Sequence, residues 1–332
     1  MNLIMFGNFI GIFAGIVLLW WAGDKAVKFS EEMAHVFGLS TFFVGFIIMS
    51  VSTGFPELAV SITSILKGVG SLSAGDIIGS NFSDLALVLG IPAFFAGSIH
   101  ILKSEYDNFV FMLLITSLVM SSVFIIGSLT AVHGVLLIGL YVYCLLILWK
   151  ARHVKKIVKE KAELSKERVK KLVVVSKPWI ILKLVFSLVG LLAASELAVR
   201  NAIALAEVFN LSLSTLGATI FAVGTSLPEL SVSMSAMKRK DYSLMLGNSL
   251  GSVLEQATLI LGFLAIAAPS PVHLQYLRSI APFMFLAFGI IGFGIIKRRK
   301  INRFEGGLLI LLYVAYIGYN YWGKLYLNSQ LG

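Results

Sequence analysis

Cysteine is almost missing from this chain. Cys144 stands alone among 332 residues, which excludes an internal disulfide and a cysteine-built zinc site. Charge is scarce as well. Asp, Glu, Lys and Arg make up 13% of the residues, against about 25% in soluble domains, while 58% are hydrophobic and the mean hydropathy is +0.91. Too little polar surface is available to clothe a water-soluble fold, so the chain reads as an integral membrane protein. No His-Glu-x-x-His pattern and no EF-hand spacing occurs, which argues against an intramembrane zinc enzyme and a built-in calcium sensor. The five histidines fall mostly near the ends of apolar runs, and His133 reads as a satisfied polar residue rather than a ligand. No basic segment precedes the first apolar stretch, so that stretch reads as a spanning helix and not as a cleavable signal.

What is abundant is apolar sequence in lengths that cross a bilayer. Ten spans are expected, near 3–26, 41–66, 72–97, 107–127, 130–150, 179–206, 212–237, 243–268, 278–296 and 305–323. With the N-terminus outside, the loops after spans three, five, seven and nine hold 20 Lys and Arg residues, and the external loops and tail hold three. That split follows the positive-inside rule. Both termini are therefore expected to be extracytoplasmic and the basic 151–178 segment cytoplasmic. The net charge of +10 follows membrane topology, which argues against nucleic acid as a partner. Segment 151–178 is expected to be a solvated basic linker, with regulation through anionic lipid as the sharper alternative.

The two halves repeat. Residues 50–61 read SVSTGFPELAVS and residues 222–233 read AVGTSLPELSVS. One offset of 172 pairs Glu57 with Glu229, Asp24 with Glu196, Gly75 with Gly247, and LVLG at 87–90 with LILG at 259–262. Each half contains five expected spans, an odd number, so the second copy should enter the membrane inverted. The fold expected is all-α: ten transmembrane helices in two inverted five-helix repeats, with helices 2 and 7 broken by proline. The division expected is 1–150 (core motif 50–90), the linker 151–178, and 179–332 (core motif 222–262). Inverted repeats are characteristic of secondary transporters, whose ion sites lie near the midplane.

Proline followed by glutamate inside an apolar run carries the chemistry. Pro56 cannot donate to the Ser52 carbonyl, nor Pro228 to that of Gly224. A carbonyl freed in hydrocarbon is costly, and a cation satisfies it. Thr53, Thr225 and Ser226 place hydroxyls at the breaks, and Glu57 and Glu229 place charge there. Oxygens of this kind suit calcium, and sodium with fewer charges. In the following span, Ser80 and Asp84 lie one helical turn apart, as do their counterparts Ser252 and Gln256. Asp76, opposite Asn248 in the repeat, is a weaker candidate for the cation site, expected to be a cavity-mouth charge, or else a helix cap. Glu255, opposite Ser83, should point about 100° away from Gln256 and is a weaker candidate for a cation or proton group.

These motifs, GTSLPEL at 224–230, STGFPEL at 52–58 and GSNFSD at 79–84, resemble the two alpha repeats of the cation/calcium exchanger superfamily, and prokaryotic sodium/calcium exchangers in particular. The resemblance covers nearly the whole membrane chain. It implies calcium held by Glu57 and Glu229 with Thr53 and Thr225. It also implies flanking sodium sites drawing on the Ser50 and Ala222 carbonyls with Ser80, Ser226 and Ser252. In two places the chain departs from the family. Gly54 stands where a serine is usual, so the flank beside Thr53 is expected to bind sodium more weakly. The central acid, Asp84, lies in the first repeat and the amide, Gln256, in the second, the mirror of the usual placement.

The function expected is a secondary active antiporter exchanging calcium for sodium by alternating access. A proton/calcium antiporter, or one for another divalent ion, is the alternative, and a cation channel is the alternative of a different class. No enzyme activity and no cofactor are expected. The transported ions are calcium and sodium, or protons in the alternative. The other expected partner is membrane lipid; no protein partner is implied.

Overall fold

The computed structural model describes residues 3–66, 68, 70–151, 177–207, 222–268 and 272–331. Helices dominate, and seven segments among them are long and apolar enough to cross a membrane: Gly7–Phe37, Thr41–Leu66, Leu72–Ala96, Lys103–Ile126, Ala131–Trp149, Tyr242–Ala267 and Leu277–Arg298. Three further expected spans fall elsewhere. Span 179–206 lies within the helix Lys177–Glu207, whose apolar part, Pro178–Ala194, is shorter. Span 305–323 lies within the helix Arg303–Leu331. Of span 212–237, residues 212–221 lie outside the described residues, and the remainder forms Ala222–Thr225 and Leu227–Lys238. The basic linker 152–176 is likewise outside them.

The first helix is longer than its apolar stretch. Expected to end near residue 26, it runs to Phe37, because DKAVKFSEEMAHVF contains no breaker. It stops at Gly38, whose φ of +66° lets the Leu39 amide reach back to the Ala34 carbonyl at 2.9 Å. This helix packs chiefly along Lys177–Glu207.

Both proline breaks have the same shape. Helix Ser50–Thr53 resumes as Phe55–Leu66 after Gly54 (φ −75°, ψ −1°), and Ala222–Thr225 resumes as Leu227–Lys238 after Ser226 (φ −78°, ψ 0°). Each is a single residue in the sparsely populated bridge region. A second matched irregularity follows. The helix Gly70–Ser83 passes into a π-helical turn at Asp84–Val88, and Tyr242–Glu255 into one at Gln256–Ile260. These two π turns stand 172 residues apart, the offset of the sequence repeat. Nothing in the sequence signalled them.

Contacts between the halves repeat at that offset. A Cβ on Gly306 would lie 2.8 Å from the Gly90 carbonyl oxygen, and one on Gly262 2.9 Å from that of Gly134. Shifting the pair Gly90–Gly306 by +172 and −172 turns it into Gly262–Gly134, so both crossings use glycine to bring backbones together. Two short antiparallel ribbons also join the halves. Ser98–His100 pairs with Lys300–Asn302, and Ser128–Leu129 pairs with Val272–His273. Gly97 (φ +78°) and Gly127 (φ +68°) end the preceding helices and turn the chain into the ribbons.

Candidate functional site

Every candidate ligand in the two core motifs is buried. Ser50, Thr53, Glu57, Asp76, Ser80, Asp84, Ala222 and Glu229 are fully enclosed, and Thr225, Ser226, Ser252, Gln256 and Glu255 nearly so. The proline breaks bring the glutamates to the interior, and the π turns bring the second pair of polar residues to meet them. Gln256 Nε2 donates to Asp84 Oδ2 at 2.9 Å and, at 3.5 Å, reaches Glu57 Oε1. Asp84 and Gln256 are equivalent positions of the repeat, so their bond joins the two motifs to each other.

The two flanks differ. On one, the Ser80 hydroxyl lies 3.3 Å from the Ala222 carbonyl and 3.0 Å from the Thr225 hydroxyl, and Thr225 donates to Asp76 Oδ1 at 3.1 Å. Asp76 is thus part of this flank, fully buried. The expectation of a mouth charge or helix cap is corrected, because the Thr225 hydroxyl gives its carboxylate an interior partner. On the other flank the corresponding groups stay apart. Thr53 donates to the Met49 and Ser50 carbonyls at 2.9 and 3.2 Å, the Ser50 hydroxyl bonds the Phe46 carbonyl, and the Ser252 hydroxyl has no partner.

Asn248, to which sequence reasoning gave no role, also belongs here, and Gly54 has a neighbour that the sequence did not identify. Asn248 donates to the Glu229 carbonyl and the Ser233 hydroxyl, both at 3.2 Å, and its own oxygen is unpartnered. The signal for it was its place opposite Asp76 in the repeat. Gly54 lies directly against Glu255: a Cβ there would be 2.9 Å from Glu255 Oε1. Asp24 and Glu196, matched by the same offset, do not join the site; Asp24 meets Arg239 at 2.7 Å and Glu196 pairs with Arg200. His133 accepts from the Thr130 amide at 3.2 Å, at the start of its helix, as a satisfied polar residue should.

The electrostatics are one-sided. Glu57 Oε2, Asp76 Oδ2, Asp84 Oδ1, both Glu229 oxygens, Asn248 Oδ1 and Glu255 Oε2 are buried without a hydrogen-bond partner, as are the Ser226 and Ser252 hydroxyls. Among the described residues every such side-chain atom is an oxygen. None of these carboxylates pairs with a Lys or Arg among the described residues; the ion pairs lie elsewhere. An unpartnered buried acceptor costs about 1–3 kcal/mol, and more when charged. The missing complement to the cluster is positive charge. Among the described residues no three acids or histidines close on one point. An ion here would therefore need hydroxyl and carbonyl oxygens beside the carboxylates, the mixed set that hard cations accept.

Several known proteins resemble this chain over nearly their full length. The family described as "Sodium/calcium exchanger protein" matches residues 7–150 and 179–322. The putative antiporter CaxA of Alkalimonas amylolytica is 30% identical over 94% of this chain and 97% of its own. The sodium/calcium exchanger MaX1 of Methanosarcina acetivorans is 26% identical, covering 93% and 97%. A solved structure of the sodium-calcium exchanger NCX_Mj, soaked with sodium and calcium, superposes with a TM-score of 0.78 at 26% identity, covering 96% of this chain and 99% of that one. With both motifs inside the matched segments, this membrane protein belongs to the sodium/calcium exchanger family.

Proposed function

We propose that the chain is a secondary active antiporter that exchanges calcium for sodium by alternating access. The observation that carries the reading is the buried cluster of unpartnered oxygens with no compensating cationic side chain among the described residues. Glu57 and Glu229 supply the two charges that balance a divalent ion, and Thr53 and Thr225 sit one turn ahead of them. Sodium takes the flanks, built from the Ser50 and Ala222 carbonyls with Ser80, Ser226 and Ser252. Asp84 is the third central acid and Gln256 its neutral partner. Asp76 and Asn248 hold the Thr225 and Glu229 sides in place. The names of MaX1 and NCX_Mj support sodium as the counter-ion.

The architecture that serves this mechanism is ten spans in two inverted five-helix repeats, 1–150 and 179–332, with 151–178 as cytoplasmic linker and both termini outside. The glycine crossings and π turns that recur at the 172-residue offset support it. So do the two ribbons, each of which joins loops assigned to the same side of the membrane. Attachment of an impermeant maleimide at Ser165→Cys, in a Cys144→Ser background, only after cells are opened is the expected labelling result.

Calcium-45 uptake into vesicles decides between couplings. An imposed sodium gradient should drive uptake, and a pH gradient alone should not. Uptake under the pH gradient only would replace sodium with protons as the coupling ion. Calcium flux down its own gradient, with no counter-ion needed, would make the protein a channel.

A further inference from the structure

The two flanks of the site are built from different pairs of residues. At equivalent positions of the repeat, one flank has Ser226 with Ser83 and the other has Gly54 with Glu255. Ser226 is a buried hydroxyl facing Asp84, and Ser83, the counterpart of Glu255, is short. Gly54 has no side chain, and the Glu255 carboxylate fills the vacated space. Built on Gly54, a Cβ would meet Glu255 Oε1 at 2.9 Å and Glu255 Cδ at 3.2 Å. Ser50 faces the same carboxylate, and Tyr141 from the helix Ala131–Ala151 is another neighbour. Glu255 is 4% exposed, and its Oε2 has no partner. A glutamate in this setting is not explained by packing, since an apolar residue would fill the space without stranding an oxygen.

We infer that Glu255 is a cation ligand, and that with Ser50 and the open space at Gly54 it forms a monovalent-cation position on the Thr53 flank. The inference rests on the antiporter reading above and adds a residue to it. The side chain lost at Gly54 is replaced by a carboxylate reaching across from the facing helix. A charged oxygen stands where the other flank has a neutral one. The flank expected from sequence to hold sodium more weakly then becomes the one that holds it more tightly, because a monovalent ion gains more from a carboxylate than from a hydroxyl.

Sodium-22 and calcium-45 binding to the purified full-length protein in detergent test this together. Glu255→Gln should weaken sodium binding by about tenfold while calcium binding changes by less than about threefold. Gly54→Ser, which restores a hydroxyl but displaces the carboxylate, should also weaken sodium binding. The double variant Gly54→Ser with Glu255→Ser, which copies the Ser226 and Ser83 pair of the other flank, should bind sodium better than either single change, because the hydroxyl then has room. Unchanged sodium binding in Glu255→Gln, or tighter binding in Gly54→Ser, overturns the assignment. Loss of both ions in Glu255→Gln and in the double variant makes Glu255 a packing residue and overturns it as well. Parent protein that binds both ions, with sodium binding unchanged in Glu255→Gln, defeats this inference alone, whereas parent protein that binds no sodium defeats the sodium-coupled antiporter reading with it.

Discussion

Replacing Glu229 by glutamine should stabilise the ion-free protein and abolish its response to calcium. Glu229 is fully buried, both its oxygens lack partners, and its charged neighbours are Glu57, Asp84 and Glu255. Glutamine has nearly the same volume and supplies two N–H donors. Every unpartnered atom around it is an oxygen, so these donors have acceptors to meet. Satisfying one orphan is worth about 1–3 kcal/mol. In a chain of this size that raises the melting temperature by roughly 2–6 °C. Calcium works in the opposite direction on the two proteins. At a concentration about 100 times its dissociation constant, it should stabilise the parent by about 2.7 kcal/mol. Removing one of two carboxylates around a divalent ion leaves a buried charge half-compensated, at a cost of about 3–5 kcal/mol. That is roughly a 200- to 4,000-fold loss of affinity, and the same calcium concentration then gives no measurable shift. Thermal unfolding of purified protein with and without calcium reads both effects. A variant that melts lower without ion, yet keeps the calcium shift, would show that Glu229 is a structural residue and that the orphaned oxygens have another cause.

Other changes probe other parts of the arrangement. Swapping the central pair, as Asp84→Asn with Gln256→Asp, should preserve calcium-45 exchange within about threefold, since the two positions are equivalent in the repeat and meet in the interior; loss of exchange in a well-folded double variant would show the two positions to be inequivalent. Gly247→Ala places a methyl group against the backbone of Phe42, with the Phe46 amide nitrogen 3.0 Å from it, and overpacking of this kind should lower stability by about 1–3 kcal/mol in a melting assay, with no change if the helices part freely. In a Cys144→Ser background, Ser98→Cys with Asn302→Cys should cross-link under mild oxidation, because paired Cα atoms in an antiparallel ribbon lie about 4.5–5.5 Å apart, within disulfide reach. Failure to cross-link would place the two loops apart.

The parts of the site that follow from local chemistry were legible in the sequence. A proline has one effect on a helix wherever it sits, so STGFPEL and GTSLPEL located both breaks, and the 172-residue offset paired Asp84 with Gln256 before any coordinate did. Asp76 was misplaced because its partner, Thr225, lies 149 residues away, and nothing in the local sequence distinguishes a mouth from an interior. The π turns at Asp84–Val88 and Gln256–Ile260 left no trace, because an extra residue in a turn is fixed by what the helix packs against. For Glu255, helix geometry gave the direction, about 100° from Gln256, but not the destination. A signal was present: Gly54 and Glu255 depart from their repeat counterparts together, one losing a side chain and the other gaining a long one. Read as a pair, they point to each other.

The two ribbons also shape how the chain can be made. Strand Ser98–His100 is completed by Lys300–Asn302, about 200 residues later, and Ser128–Leu129 waits for Val272–His273. At about 5–20 residues per second of synthesis, the first strand emerges roughly 10–40 seconds before its partner exists. Through that interval its amide and carbonyl edge has nothing of its own chain to pair with, and an open edge invites pairing with other chains. Ile99 and Ile301, both fully enclosed in the finished molecule, wait equally for their cover. The first half can therefore insert before the second is translated but cannot finish folding. Two halves made as separate polypeptides should find each other through these edges, and a first half made alone should be the form that cells recognise as unfinished.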